Sequence, residues 1–455
     1  MWNVSKPEYN RESAYSAYEV HHIYKISQIH ATQKELAIVV TEKDQRILRE
    51  LGEKIADIGS LPIQQKRAQM WSQLNRLEDS KPMVWMDDIC WNEMDVDGEL
   101  QLQTSSRFCQ RLEAELRQTI YQWDHMPGDM VVEPVIYSPL VLTNTGIGIS
   151  VEEDTIKKED DSLVASHRYH VQIKDEDDIE KIRMPEITHH EKKSEENYQT
   201  YHDIFDGILT VKKRGTPGFS YGPWDDIIHF ADFQQVLLDL VIRPDYLHKL
   251  VDRFVTAYLH CLDQYETLNL LALNNTNVRI GSGGYGYTNE LPQSDYNPNH
   301  TRTVDMWGFS EAQPFDGVSP EMHEQFALKY ERRWLERFGL TYYGCCEPLH
   351  GKIDILRSIP NLRKISISPW ADINEAARQI SNDYVISLKP NPTILATGKW
   401  NPGSARDELE SKLKVAKQYN CKVEILMKDI STVRHEPQRL WEWAEIATEV
   451  AEKFA

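Results

Sequence analysis

The chain has 455 residues, with 71 acidic against 51 basic side chains and a formal charge of −20. That balance excludes a phosphate-neutralising nucleic-acid binder, which needs a basic face. Four of the six cysteines (Cys90, Cys109, Cys261, Cys421) are scattered singly, which is no disulfide framework. No apolar run is long enough to cross a bilayer or to serve a signal peptide, so the sequence reads as a soluble, cytoplasmic protein, monomer or homodimer.

Residues 1 to about 30 are polar and tyrosine-rich and read as an arm. Residues 44–57 and 62–77 place apolar side chains three and four apart, which predicts two helices. Arm and helices together make an N-terminal extension over 1–80. Eight apolar or β-branched runs then predict strands: MVWMDD (83–88), VVEPVIYS (131–138), ILTVKK (208–213), NVRIGSGG (277–284), LTYYGCCE (340–347), RKISIS (363–368), YVISLK (384–389) and KVEILMKD (422–429). Helical patterns at 233–265, broken near Arg243-Pro244, and at 320–338, 374–381, 403–419 and 437–454 alternate with them. Alternation of this kind predicts a parallel sheet, and eight units fit an α/β (β/α)8 TIM barrel over 81–455.

Two segments stand outside that rhythm. Residues 151–200 are dense in both charge signs and read as a charged surface insertion, with His189-His190 exposed within it. GSGGYG (281–286) lacks the spacing of a dinucleotide or phosphate loop and reads as a tight turn.

A parallel barrel carries its chemistry at the C-terminal ends of its strands. There the sequence delivers Asp87 and Asp88, Tyr137, Tyr285 and Tyr287, Cys345, Cys346 and Glu347, Ser368, Trp370 and Asp372, Lys389 and Asn391, and Asp429. Cys421 precedes its strand and is excluded. In TYYGCCEPLHGK (341–352) the two-residue strand period lets only one of Cys345 and Cys346 point inward while the strand continues. Pro348 can open a helix that carries His350 in its first turn. A disulfide between the neighbours is disfavoured by the strain of so small a ring. Cys346, Glu347 and His350 would suit zinc with one position open. The plainer alternative is a thiol packed as a small hydrophobe and a carboxylate at a helix start.

Four segments, in order, resemble the uroporphyrinogen decarboxylase superfamily, (β/α)8 barrels that include the cobalamin-dependent methyltransferases. They are KPMVWMDDICWNEM (81–94), DLVIRPDYLHKLVDRF (239–254), AQPFDGVSPEMHEQFALKYERRW (312–334) and YYGCCEPL (342–349), and the resemblance covers about 65–455. The departures are informative. Asp87-Asp88-Ile89-Cys90-Trp91 stands where the decarboxylases carry arginines, and EPVIYSPLVL has no acid after Glu133. A polycarboxylate porphyrinogen would be repelled. The His-x-Cys and late cysteine of the thiol-methylating branch are also missing, since Tyr343 or Gly344 stands for the histidine and Asp429 for the cysteine.

What the resemblance implies is methyl transfer from a small O-methyl or N-methyl substrate, aromatic in character, to the cobalt of a corrinoid held by a partner protein. Zinc on Cys346, Glu347 and His350 would act as Lewis acid. Lys389 or Asp88 would handle a proton or orient the substrate, and Tyr137, Tyr287, Trp307, Trp370 and Asn391 would contact it. The alternative is a metal-free decarboxylase or lyase on a small carboxylic acid, with Lys389 holding the carboxylate. A barrel that only docks a partner ranks last.

Overall fold

The computed structural model describes residues 24–25, 39–157 and 165–455. Most of the expected arm lies outside the described residues. Helix α1 (Glu42–Gly59) starts at a reciprocal cap between Thr41 and Asp44 and buries Ile47, Leu48, Leu51 and Ile55, so two exposed backbone donors are satisfied where the apolar stripe begins. Helix α2 (Pro62–Asn75) opens on proline and buries Trp71 and Leu74, using the one helical position that loses nothing by lacking an N–H.

Eight strands matter to the site: β1 (Met83–Met86), β2 (Val135–Pro139), β3 (Thr210–Arg214), β4 (Trp307–Ser310), β5 (Leu340–Tyr343), β6 (Leu362–Ile367), β7 (Val385–Leu388) and β8 (Lys422–Met427). Six of them form one all-parallel sheet in the order β4-β5-β6-β7-β8-β1. Their residues are almost uniformly buried, as expected of parallel strands covered on both faces. Strands β2 and β3 pair in parallel with each other. The architecture is therefore mixed α/β around a central six-stranded parallel sheet.

The helices expected at 233–265, 374–381, 403–419 and 437–454 form close to those spans, and two that the spacing did not predict precede them. Helices α3 (Arg107–His125) and α4 (Glu191–Phe205) precede the long pair, α5 (Phe233–Ile242) and α6 (Pro244–Thr267). The break between α5 and α6 falls at Arg243, because proline disfavours a helical conformation in the residue before it. Helices α7 (Ile373–Ile380), α8 (Pro402–Gln418) and α9 (Gln438–Lys453) complete the later units. The charged insertion is partly structured: Glu153–Lys157 and Ala165–Tyr169 form an antiparallel pair, and α4 begins inside it.

One expected strand is absent. Residues 277–284 form the tight turn instead, with an antiparallel bridge between Arg279 and Tyr285, and the fourth strand is Trp307–Ser310. The glycines explain why. A Cβ on Gly283 would lie 2.5 Å from the Tyr342 ring and 2.6 Å from Glu424 Oε1, and one on Gly284 would lie 2.5 Å from Trp71. The segment is glycine-rich because its backbone runs against the inner face of the sheet. There its Gly284 N–H donates to Glu424 (3.1 Å), which also pairs at 2.8 Å with Lys364, both side chains being fully buried.

No described helix is long and apolar enough to cross a membrane.

Candidate active site

The parallel register puts the C-terminal ends of all six sheet strands on one edge. That edge gathers Asp87 and Asp88 after β1, Glu311 after β4, Cys345, Cys346 and Glu347 after β5, Ser368 after β6, Lys389 after β7, and Lys428 and Asp429 after β8. Arg279 reaches the same place from the glycine turn.

Strand β5 stops at Tyr343, and Gly344 turns the chain with φ +92°. A Cβ there would meet Leu349 Cδ1 at 2.4 Å. The turn cancels the strand alternation, so the two neighbouring thiols face one another instead of opposite sides, with Sγ atoms 3.5 Å apart. Cys345 is buried and Cys346 half-buried. This corrects the expectation that only one thiol could reach the site. The contact with Cys346, then burial, hold the Cys345 thiol well above its ordinary pKa, while Lys428 pulls the other way.

Lys428 is the electrostatic centre. Its ammonium lies 3.4 Å from Cys345 Sγ, 3.1 Å from Asp429 Oδ2 and 3.7 Å from Asp88 Oδ2. Burial works against its charge, but Cys345, Asp429 and Asp88 outweigh burial and raise its pKa well above the ordinary value. Arg279 pairs with Asp87 and stands 3.6 Å from Asp88 Oδ1. The acidic Asp87-Asp88 pair is thus compensated by cations from elsewhere in the chain.

A second layer holds carboxyls under the thiols. Glu311 is 8 % exposed, and burial, then Cys345 and Glu347, push its pKa well above the carboxylate range. Asp225 is raised likewise by burial, then Glu311 and Glu347. Crowded acids out of water keep their protons. Lys389 donates to Ser387 Oγ (2.6 Å) and Tyr342 OH (3.0 Å), and burial lowers its pKa to about 7 against the pull of Glu424. Tyr343, on β5, donates to Glu331 (2.7 Å) and contacts His323 Nε2 (2.7 Å).

The sequence-predicted residues divide. Asp88, Lys389 and Cys346 lie at the strand-end edge as expected. Glu347 is there too, but its carboxylate accepts from the backbone N–H groups of Cys345 (2.9 Å) and Ala312 (3.3 Å). It serves the turn. Pro348 opens no helix, since the next one is Ile353–Leu356, and His350 lies in a turn with its Nδ1 buried and unpartnered. Among the described residues no three His, Cys, Asp or Glu side chains are grouped to hold a metal ion. Cys346, Glu347 and His350 do not fit zinc as a set, because Glu347 spends both oxygens on backbone donors and the Lys428 ammonium sits against the thiol pair.

Two expected substrate contacts sit elsewhere. Trp307 is the first residue of β4, at the opposite end of the sheet, and donates its indole N–H to Gly286 O (2.9 Å). Tyr287 donates to Glu133 (2.9 Å) and packs beside Tyr285, in the cluster with Trp71 and Trp85. Tyr287 was placed at the mouth by an expected fourth strand that is a turn. Tyr137 lies under the Arg214 guanidinium, 4.3 Å from its ring centroid. Asn391 accepts from the backbone N–H and hydroxyl of Thr393, and Trp370 is 66 % exposed beyond β6. Sequence reasoning missed Glu311, Lys428 and Arg279. Lys428 was legible as the neighbour of Asp429, whereas Glu311 needed the correct fourth strand.

No family model and no curated protein matches the chain. Among solved structures, a methyltransferase from Methanosarcina mazei is similar over 85% of this chain and 98% of its own, at 12% identity and a TM-score of 0.46. A likeness that distant carries no argument about the reaction.

Proposed function

We propose that the chain is an enzyme that moves a methyl group from a small O-methyl substrate, aromatic in character, to the cobalt of a corrinoid carried by a separate protein, and that strands β1 to β8 make up one (β/α)8 barrel. The corrinoid acceptor comes from the sequence resemblance alone. What carries the reaction class is Glu311, a buried carboxyl directly after β4 at the strand-end edge, whose pKa burial, then Cys345 and Glu347, push well above the ordinary value. An ether oxygen leaves poorly as an anion, and a positioned acid removes that barrier, an effect of about 10²–10⁴-fold in rate.

In this reading the electrons of the breaking C–O bond stay on oxygen, which takes the Glu311 proton, while the methyl carbon passes to the acceptor. Lys428, fixed by Asp88 and Asp429, stabilises the negative charge that develops on oxygen. Lys389 beneath holds Tyr342 and the floor of the site. No step is assigned to zinc.

A second reading has one observation in its favour. Lys389 is buried at the end of β7 with its ammonium donating to the hydroxyls of Ser387 and Tyr342, and a metal-free lyase would use it to grip a small carboxylic acid, whose negative charge would oppose the burial that lowers the lysine pKa. The test is incubation with a reduced corrinoid protein and a panel of methoxylated aromatics, following the cobalt spectrum. Cobalt methylation that depends on Glu311 supports methyl transfer. No methylation with any donor, with carbon dioxide released from an acid in the absence of corrinoid, replaces it with the lyase.

A further inference from the structure

We propose that Cys345 and Cys346 form a two-thiol site for trivalent arsenic species. The geometry is unusual for adjacent residues. In a continuing strand their side chains would point to opposite faces, but the left-handed turn at Gly344 brings the sulfurs to 3.5 Å. That separation is well beyond a disulfide bond of about 2.05 Å, so direct oxidation must draw the sulfurs together inside a small ring. A bridging atom that bonds both sulfurs enlarges the ring and needs no such movement.

Access and fixation favour the same outcome. Cys346 is half-buried and contacts Asp429, itself 52 % exposed in its side chain, at 3.6 Å. It is the entry thiol. Cys345 is buried behind it and held by the Lys428 ammonium at 3.4 Å, so the second bond forms within an ordered site. The remaining cysteines stand apart, Cys90 after β1, Cys109 in α3, Cys261 in α6 and Cys421 before β8.

The reaction balances without an oxidant. An organoarsenic oxide forms one As–S bond to each sulfur. Both thiol protons leave with the oxide oxygen as one water, and arsenic remains trivalent. The proposal is independent of methyl transfer.

The test uses phenylarsine oxide on the folded, full-length protein, read by intact mass and by peptide mapping after alkylation of the denatured adduct. The expected result is one phenylarsenic unit per chain with one water lost, alkylation blocked at Cys345 and Cys346 alone, and release by dimercaptopropanol but not by mercaptoethanol. Cys346→Ser removes the stable adduct. Should that variant fail to fold, the mapping on the unmodified sequence decides by itself. The proposal is overturned by an adduct mapped to any other cysteine, by an adduct that survives in folded Cys346→Ser, or by no adduct on protein whose Cys346 still reacts with N-ethylmaleimide.

Discussion

Gly344→Ala tests the feature on which the site depends. The residue sits at φ +92°, where a side chain costs about 1–3 kcal/mol. The added methyl would also lie 2.4 Å from Leu349 Cδ1 and 3.3 Å from Ser366 Cβ. Leu349 is fully buried, so relief means displacing packed atoms, at about 1–3 kcal/mol more. The two terms together predict a loss of about 2–6 kcal/mol, measured by urea unfolding followed through tryptophan fluorescence. Where the variant relieves strain by unwinding the turn, the thiols separate and phenylarsine oxide uptake falls. Gly351→Ala, where nothing lies within 4 Å of the new Cβ, is the control and should change stability by less than about 0.5 kcal/mol. A Gly344→Ala protein as stable as that control, with its dithiol intact, would refute the role given to the turn.

With the Glu311 pKa raised by burial, Glu311→Gln should leave unfolding midpoints nearly unchanged and slow methyl transfer by about 10²–10⁴-fold. A large loss of stability would instead mean that Glu311 is ionised. Lys364→Met strands the fully buried Glu424 carboxylate and should cost about 3–5 kcal/mol by urea unfolding, whereas Lys364→Met with Glu424→Leu should recover most of it. Lys389 has a pKa of about 7 in the folded chain against an ordinary 10.5. Between those values the unfolded chain binds a proton that the folded chain has released, so this residue's contribution to stability rises with pH across that window and is at its most unfavourable below about 7. Thermal midpoints from pH 7 to 10 should rise less steeply in Lys389→Met, and an unchanged slope would show that Lys389 does not titrate there.

The periodic parts of the chain were readable because burial alone dictates them. The break at Arg243-Pro244 and the runs that became β1 and β5–β8 follow from spacing and from proline. Runs such as YVISL are apolar throughout because both faces of a parallel strand are covered. The fourth strand was misread because NVRIGSGG carries the β-branched start of a strand, while its glycines answer to a close approach of backbone to Tyr342, Glu424 and Trp71 that no local pattern encodes. WGFS, which is the strand, shows no alternation. The error moved Tyr287 to the wrong end of the sheet and hid both Trp307 as a strand start and Glu311 as the residue after a strand end. Asp88, Lys389 and Cys346 could be placed at the strand-end edge because strand ends, unlike loop contacts, are a local property.

The charge balance of the site separates the two functional readings. From the sequence, Asp87-Asp88 looked like an acidic mouth that would repel a polycarboxylate porphyrinogen. In the folded chain Arg279 and Lys428 compensate that pair, and burial and neighbouring acids raise the pKa of Glu311 and Asp225 well above the carboxylate range. A neutral ether meets no opposing field there. A carboxylate substrate must find a cation not already engaged by Asp87, Asp88 or Asp429, which leaves Lys389, poised near neutrality beneath the thiols. Lys389→Met therefore distinguishes the readings. A lyase that grips its substrate through this ammonium loses binding, with KM raised at least tenfold, the equivalent of about 1.4 kcal/mol. A methyl transferase that uses Lys389 to hold Tyr342 keeps its KM for the methyl donor within about twofold, a difference of about 0.4 kcal/mol. Retained KM with a methoxylated donor, alongside loss of turnover in Glu311→Gln, would assign the proton to Glu311 and leave Lys389 a positioning residue. A raised KM would return Lys389 to the substrate and count against methyl transfer.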